Sequence, residues 1–195
     1  SSAMVVWGGI GPTISPEDHI KLTDVLCVGE GERALSELTE AVRDGKDYKQ
    51  IKNLWLNDGP KVIKNPMGPL VQDLDALPFS EYGNENMYFI ESNKLERQDP
   101  EQINSQLWIQ SSRGCPYSCS FCVENTLHDL FKGLGKFVRR RSVNSIINEI
   151  KWNLNKPNNK KDYVVFIDEV FGSNPTWIDE FGPRYKKEIG LPFYA

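Results

Sequence analysis

Three of the four cysteines in this 195-residue chain lie close together in the segment RGCPYSCSFC. They are Cys115, Cys119 and Cys122, whereas Cys27 lies far upstream. Thiolates are ligands for zinc and for the iron of iron–sulfur clusters. In a chain without a secretory signal sequence, clustered thiols bind metal more often than they form disulfides. The spacing therefore predicts a metal centre that is held by three thiolates.

The simpler alternatives are a structural zinc site and a disulfide. Structural zinc takes four ligands, commonly from two Cys-x2-Cys pairs or from Cys together with His. The C-x3-C-x2-C segment has no second pair, and His128 is its one candidate for a fourth ligand. A disulfide that leaves one thiol unpaired suits a reducing compartment poorly. Both alternatives stay open, although the ligand count disfavours them.

An iron–sulfur cluster accounts better for a set of three cysteines. A cubane cluster has four irons, so three thiolates on one loop leave one iron open for a substrate or cofactor. The neighbouring residues suit a tight loop, because Gly114 permits close approach and Pro116 stiffens the turn. The sequence therefore favours a catalytic centre over a structural one.

The segment CPYSCSFC resembles the C-x3-C-x-aromatic-C signature of the radical S-adenosylmethionine (radical SAM) enzymes. The resemblance implies that Cys115, Cys119 and Cys122 bind a [4Fe–4S] cluster and that SAM chelates the remaining iron. An electron from the cluster then cleaves SAM to methionine and a 5′-deoxyadenosyl radical. The resemblance also implies that Phe121 lies against the adenine of SAM and that flavodoxin or ferredoxin donates the electron. It identifies no catalytic residue beyond these.

Strands and helices alternate around and after the cysteine loop. A strand at 106–110 leads into the loop, and Ser142 is expected to cap a helix. A strand at 163–167, buried on both faces, a helix around Trp177 and a strand in LPFYA follow. The apolar stripes of the two helices are Val143, Ile146, Ile147, Ile150 and Leu154, and then Trp177, Ile178, Phe181 and Tyr185. This order agrees with the partial (βα)6 TIM-type barrel that the resemblance implies, with its site at the C-terminal ends of the strands.

Charged residues follow two of these elements. Asp168 and Glu169 come after the strand at 163–167, where the family has Gly-Gly-Glu, whose acid holds the methionine amine of SAM. Because Ile167 and Asp168 replace the glycines, only the acidic character carries over. A solvated acidic turn, or an acid that caps the next helix, remains an equal alternative. The basic run 139–141 is a candidate for binding a carboxylate, but a solvated face is the interpretation for at least two of its three arginines.

The first part of the chain also alternates strand and helix. Strands are expected at 3–7 and 24–28, a helix start at Ser15-Pro16, and a longer helix that ends at Gly45. The apolar residues of the longer helix are Ala34, Leu35, Leu38, Ala41 and Val42. This order predicts a parallel sheet with covered faces, followed by a hairpin in IKNLWLNDGPKVIKN. Cys27 lies within a strand and is interpreted as a small buried hydrophobic residue.

Glycine turns in this part resemble those of the cobalamin-binding subfamily of radical SAM enzymes. The matching segments are VVWGGIGPT with Gly8 and Gly9, GEGE with Gly29, Glu30 and Gly31, and the LPF of 77–79. The resemblance implies an α/β chain with the end of a Rossmann-like cobalamin-binding domain at 1–68, a linker at 69–103 and the first part of the barrel at 104–195. The subfamily's cobalt-ligating histidine is expected before residue 1. His19 follows Gly8-Gly9 in a helix start and is not that ligand.

The function expected from the sequence is that of a radical SAM enzyme. Within this class, the sequence favours a cobalamin-dependent methyltransferase or a related radical enzyme that acts on a small molecule. The alternatives are a radical SAM enzyme with a degenerate domain that binds no cobalamin, or a non-enzymatic zinc-binding or cluster-binding module. A tRNA methylthiotransferase is disfavoured, because it needs three further cysteines upstream and only Cys27 is present. The net charge of −4 disfavours a nucleic-acid partner. No apolar run is long enough for a membrane span, and the expected location is cytoplasmic.

Overall fold

The computed structural model describes residues 3–80, 88–97, 105–157 and 160–195. Contacts within the chain divide it into two compact units. The first contains Ser1–Gln72 and Tyr117–Phe137, and the second contains Asp73–Pro116 and Val138–Ala195. The cysteine loop therefore lies where the chain passes from the second unit to the first. The domain boundaries at residues 68 and 103 stay a prediction.

The sheet of the first unit is mixed. Its order is β1 (Val6–Trp7), β2 (Val25–Cys27), β3 (Leu54–Asp58) and β4 (Lys61–Lys64). Strands β1 and β2 are parallel, but β3 is antiparallel to β2 and forms the expected hairpin with β4. The prediction of a parallel sheet is therefore correct only for β1 and β2. Leu54 pairs with Cys27 at the C-terminal end of β2, so residues 46–53 must first carry the chain along the sheet.

Among the described residues, the first unit contains four helices. They are α1 (Ile10–Ile14), α2 (Pro16–His19), α3 (Glu32–Asp44) and α4 (Val123–Leu130), and a 3₁₀ turn spans Ile20–Leu22. Helix α3 ends at Gly45, which adopts a φ of 64°, as the sequence predicts. Its buried residues are Ala34, Leu38 and Ala41, while Leu35 and Val42 are about half exposed. The apolar stripe that packs on the sheet is thus narrower than the predicted one.

The second unit contains a three-stranded parallel sheet in the order β11, β10, β7. Its main elements are β7 (Gln106–Ile109), α5 (Val143–Leu154), β10 (Tyr163–Phe166), α6 (Pro175–Glu188) and β11 (Phe193–Tyr194). The Ser142 hydroxyl accepts a hydrogen bond from the N–H of Ser145, which confirms the predicted cap of α5. The expected order of strand, helix, strand, helix and strand is confirmed for these five elements.

The core of the second unit lies between its sheet and helices α5 and α6. Ile146, Ile147 and Ile150 of α5 and Phe181 of α6 are almost fully buried there. In β10, Val164 and Phe166 are buried while Tyr163 and Val165 are only half-buried. The prediction that both faces of this strand are buried is wrong for the described residues, because the buried side chains of both helices join one cluster on a single face.

Short elements occupy parts of the segment predicted as a linker. Strands β5 (Phe89–Glu91) and β6 (Lys94–Glu96) form an antiparallel hairpin, and a 3₁₀ turn spans Leu74–Ala76. A further pair, β8 (Ser112–Arg113) and β9 (Arg139–Arg140), flanks the excursion of the chain into the first unit. Within the described ranges, no helix is both long and apolar enough to cross a membrane.

Candidate metal centre

The three clustered cysteines lie on a loop without regular secondary structure, between β8 and α4. Gly114 opens the loop with a φ of 82°, a conformation that side chains rarely adopt. None of the three cysteines forms a disulfide within the described residues; Cys119 is exposed, and Cys115 and Cys122 are half-buried. The N–H of Cys122 donates to the carbonyl of Cys119 at 3.0 Å, so the last two cysteines share one turn.

The C-terminal end of the loop is held by helix α4. Cys122 is the N-cap of this helix, and a helix N-terminus favours nearby negative charge such as that of a thiolate-bound cluster. Leu127 and the following Phe131 are buried in a cluster with Leu70, which anchors the helix within the first unit. This helix was not predicted from the sequence, although Val123 and Leu127 have helical spacing.

The N-terminal end of the loop is held by hydrogen bonds at the end of β7. Ser111 and Ser112 are at most 1% exposed. The carboxylate of Asp168 accepts bonds from the N–H of Ser111 at 3.0 Å, from its hydroxyl at 2.7 Å and from the hydroxyl of Ser112. Neither serine was predicted from the sequence as a site residue, although their position directly before the Arg-Gly-Cys segment was a local signal.

The chemistry of the donor set fits an iron–sulfur cluster. Such clusters take thiolate ligands, and this loop offers three cysteines within eight residues, each of them outside any disulfide and at least partly accessible. Over the part of the chain that the structure describes, no three Cys, His, Asp or Glu side chains are grouped closely enough to hold a metal ion. His128, the extra ligand in the zinc alternative, stacks edge-on against Phe137 at 5.3 Å.

The other residues expected near SAM differ in accessibility. Phe121 is 91% exposed, so its ring is available to a ligand. Glu169 is exposed and, within the described ranges, makes no hydrogen bond or ion pair. Asp168 is half-buried and its carboxylate already accepts three hydrogen bonds. Of these two adjacent acids, only Glu169 therefore has a carboxylate that accepts no hydrogen bond within the described ranges.

The basic run 139–141 is not a solvated face. Arg139 is 7% exposed, and the side chain of Arg141 is 13% exposed. Arg141 forms an ion pair with Glu149, which is itself buried. Arg140 donates to the hydroxyl of Ser173 at 2.6 Å. The interpretation of at least two solvated arginines is wrong, because two of the three are packed within the second unit.

The glycines expected to approach cobalamin have internal roles in the first unit. A Cβ at Gly8 would meet that of Cys27 at 3.3 Å, and one at Gly31 would meet the Cys27 sulfur at 3.4 Å. Gly9 caps α1 with a φ of 109°. Cys27 itself is 4% exposed, as predicted, and burial raises the pKa of its thiol. A contact of these glycines with cobalamin stays a prediction.

The GEGE turn is fixed by side chains from other segments. Gly29, with a φ of 90°, donates its N–H to the hydroxyl of Thr13. Asn53 donates to the carbonyls of Val28 and Glu30 and accepts from Gly68. The Glu30 carboxylate accepts from the N–H of Val71 at 2.7 Å. These hydrogen bonds hold the turn in one conformation. They also engage several of its polar groups within the unit.

No family model matches the chain. An uncharacterized methyltransferase of Pyrococcus horikoshii is 27% identical over 96% of the chain and 38% of its own length. An anaerobic magnesium-protoporphyrin IX monomethyl ester cyclase of Synechocystis is 26% identical over 76% of the chain and 27% of its own length. The chain thus spans well under half of these relatives.

Solved structures share the fold. The radical SAM methyltransferase TsrM from Kitasatospora setae, with tryptophan and a SAM analogue bound, superposes with a TM-score of 0.65 and 21% identity, over 95% of this chain and 33% of that one. The cobalamin-dependent radical SAM enzyme OxsB gives a TM-score of 0.59 and 22% identity, over 91% and 23%. Together with the curated relatives, this likeness confirms that the chain resembles the cobalamin-binding radical SAM enzymes and has their mixed α/β fold.

Proposed function

We propose that the full-length protein is a radical SAM enzyme. Within this class, we propose a cobalamin-dependent methyltransferase. The observation that carries this proposal is the loop of three closely spaced cysteines after a strand in a βα fold shared with TsrM and OxsB. Cys115, Cys119 and Cys122 would hold a [4Fe–4S] cluster. When bound, the cluster supplies the electron for the reductive cleavage of SAM, and a small-molecule substrate and a reduced donor protein complete the reaction.

The chain's own residues would bind and orient SAM in this proposal. The exposed ring of Phe121 offers an apolar surface for the adenine. Glu169 has an accessible carboxylate with no partner in the described ranges, which suits it to accept hydrogen bonds from the methionine ammonium. Asp168 is the poorer candidate, because its oxygens already accept from two serines.

Changing Glu169 to Gln is expected to weaken SAM binding about tenfold, since a charge-assisted hydrogen bond is worth on the order of 1.5–3 kcal/mol. The iron content of the reconstituted protein should stay unchanged, because Glu169 lies outside the thiolate set. Equilibrium dialysis of SAM against full-length protein measures the effect, and production of 5′-deoxyadenosine by reduced protein tests the reaction itself.

Glu180→Gln is the matched control, because Glu180 is an exposed carboxylate on the outer side of α6. Its SAM affinity should equal that of the unchanged protein. If the Glu169→Gln protein binds SAM as tightly as the unchanged protein, Glu169 is a solvated turn residue and not a SAM contact. Absence of both 5′-deoxyadenosine and S-adenosylhomocysteine from cluster-loaded protein would contradict the proposed reaction class.

The proposal of a cobalamin cofactor rests on the glycine turns and on the fold shared with TsrM and OxsB. Gly8, Gly9, Gly29, Glu30 and Gly31 lie at the ends of the parallel strands β1 and β2, the edge where doubly wound sheets bind their ligands. Titration of hydroxocobalamin into the full-length protein, followed by corrin absorbance, should show saturable binding at one equivalent. Lack of binding would leave a radical SAM enzyme whose first domain is degenerate.

A further inference from the structure

The carboxylate of Asp168 joins the end of β10 to the end of β7. One oxygen accepts from the N–H of Ser111 at 3.0 Å, and the other accepts from the hydroxyls of Ser111 at 2.7 Å and Ser112. The donors belong to a segment that lies 56 to 57 residues earlier in the chain. Hydrogen bonds to an ionised carboxylate are about twice as strong as those between neutral groups.

These donors have no access to water, which makes the carboxylate necessary. Ser111 is 0% exposed and Ser112 is 1% exposed. Without Asp168, the N–H of Ser111 would lose the acceptor it has in the structure, and an unsatisfied buried donor is costly. The carbonyls on either side are also engaged, since that of Ile109 accepts from Ile167 and that of Ser111 accepts from Arg141. The backbone directly before the metal loop (residues 115–122) is thus held by hydrogen bonds from the segment after β10 and from the segment after β9.

The fixed segment ends three residues before the first metal ligand. Ser112 and Arg113 form β8, and Gly114 then takes a φ of 82° before Cys115. Three residues reach at most about 11 Å, so the position of Ser112 limits where the thiol of Cys115 can lie. Gly114 adds backbone freedom at this point. The position of Cys115 is therefore limited mainly by the anchored residues directly before it.

We propose that Asp168 is a positioning residue for the metal loop and not a contact of SAM. It holds Ser111 and Ser112, and through them it places Cys115 for cluster binding. The neighbouring Glu169, exposed and without a partner in the described ranges, keeps the ligand-binding role. The consequence for the cluster rests on the proposed function, whereas the anchoring of the loop does not.

The anchoring is tested by amide hydrogen exchange in the full-length protein without metal. Asp168→Asn keeps the size of the side chain but replaces one acceptor oxygen by a donor group that opposes the serine donors. Amides of residues 111–115 should then exchange at least about tenfold faster, while those of α5 and α6 stay unchanged. The matched control is Asp162→Asn, an exposed position just before the same strand, which should leave all these rates unchanged. Unchanged rates in the Asp168→Asn protein would overturn the proposal.

The positioning role is separated from a ligand role in reconstituted protein. Asp168→Asn should release iron to a chelator about tenfold faster while the SAM affinity of the remaining cluster-loaded protein is retained. Ser112→Ala should act in the same direction with a smaller effect, and it should add little in the Asp168→Asn background, because both changes remove one interaction. Weakened SAM binding with an unchanged rate of iron release would show that Asp168 is a SAM ligand and would overturn the proposal. If the unchanged protein binds no cluster, the proposed function fails, and the exchange experiment alone decides the anchoring.

Discussion

Replacing Cys115, Cys119 or Cys122 by alanine, one at a time, is expected to abolish the iron–sulfur cluster. The full-length protein reconstituted without oxygen should hold about four irons and four sulfides per chain, and each variant should hold almost none. The effect is expected to be large because, in the proposed cluster, the loop supplies three protein ligands and each one would bind a different iron. Iron and sulfide analysis together with the brown visible absorption measures the result.

Cys27→Ala is the control for these variants. Cys27 is 4% exposed within the first sheet, and burial raises the pKa of its thiol, so it is a poor metal ligand. Its replacement should leave the iron content unchanged, with a modest loss of stability from the small cavity. A cluster that survives the loss of Cys119 would contradict the ligand assignment. One equivalent of zinc without iron would instead favour the zinc-binding module.

Local sequence signals predicted the second unit well. The stripe of Val143, Ile146, Ile147 and Ile150 together with the cap at Ser142 indicated helix α5, which the structure contains. In the first unit, Gly45 likewise indicated the end of α3, because the required φ of 64° strongly favours glycine. These signals are short in range, and each is decided by residues within one or two helical turns.

Pairings between distant residues could not be predicted from local patterns. Asp168 looked like a candidate SAM contact because its serine partners lie more than fifty residues earlier. The antiparallel direction of β3 depends on the path of residues 46–53, which carry no regular hydrophobic period. The arginines at 139–141 looked solvated, because a run of three charges does not reveal that Glu149 lies two helical turns along and faces one of them. In each case, the structure depends on a contact with a residue far along the chain, or on a burial that the local sequence does not reveal.

Arg141→Ala is expected to destabilise the protein by about 3–5 kcal/mol, because removing one partner of a buried ion pair leaves the other charge uncompensated. The side chain of Glu149 is 3% exposed, and its carboxylate accepts from Arg141 and, at 3.0 Å, from the N–H of Ser80. Arg141 also bonds the hydroxyl of Ser145 and lies over the ring of Phe79 at 5.6 Å. The free energy of unfolding, taken from urea denaturation of the full-length protein, measures the loss.

Two further variants identify the cause of that loss. Arg184→Ala removes an arginine on α6 that pairs with Glu180 and Glu188, and it should cost much less than Arg141→Ala, because solvent screens exposed ion pairs. The double variant Arg141→Met with Glu149→Gln removes both charges, fills the space of the arginine stem and keeps an acceptor for Ser80. It should therefore recover most of the stability that Arg141→Ala loses. A double variant that is as unstable as Arg141→Ala would show that the packing of the guanidinium against Phe79 and Ser145, rather than an uncompensated Glu149, sets the cost.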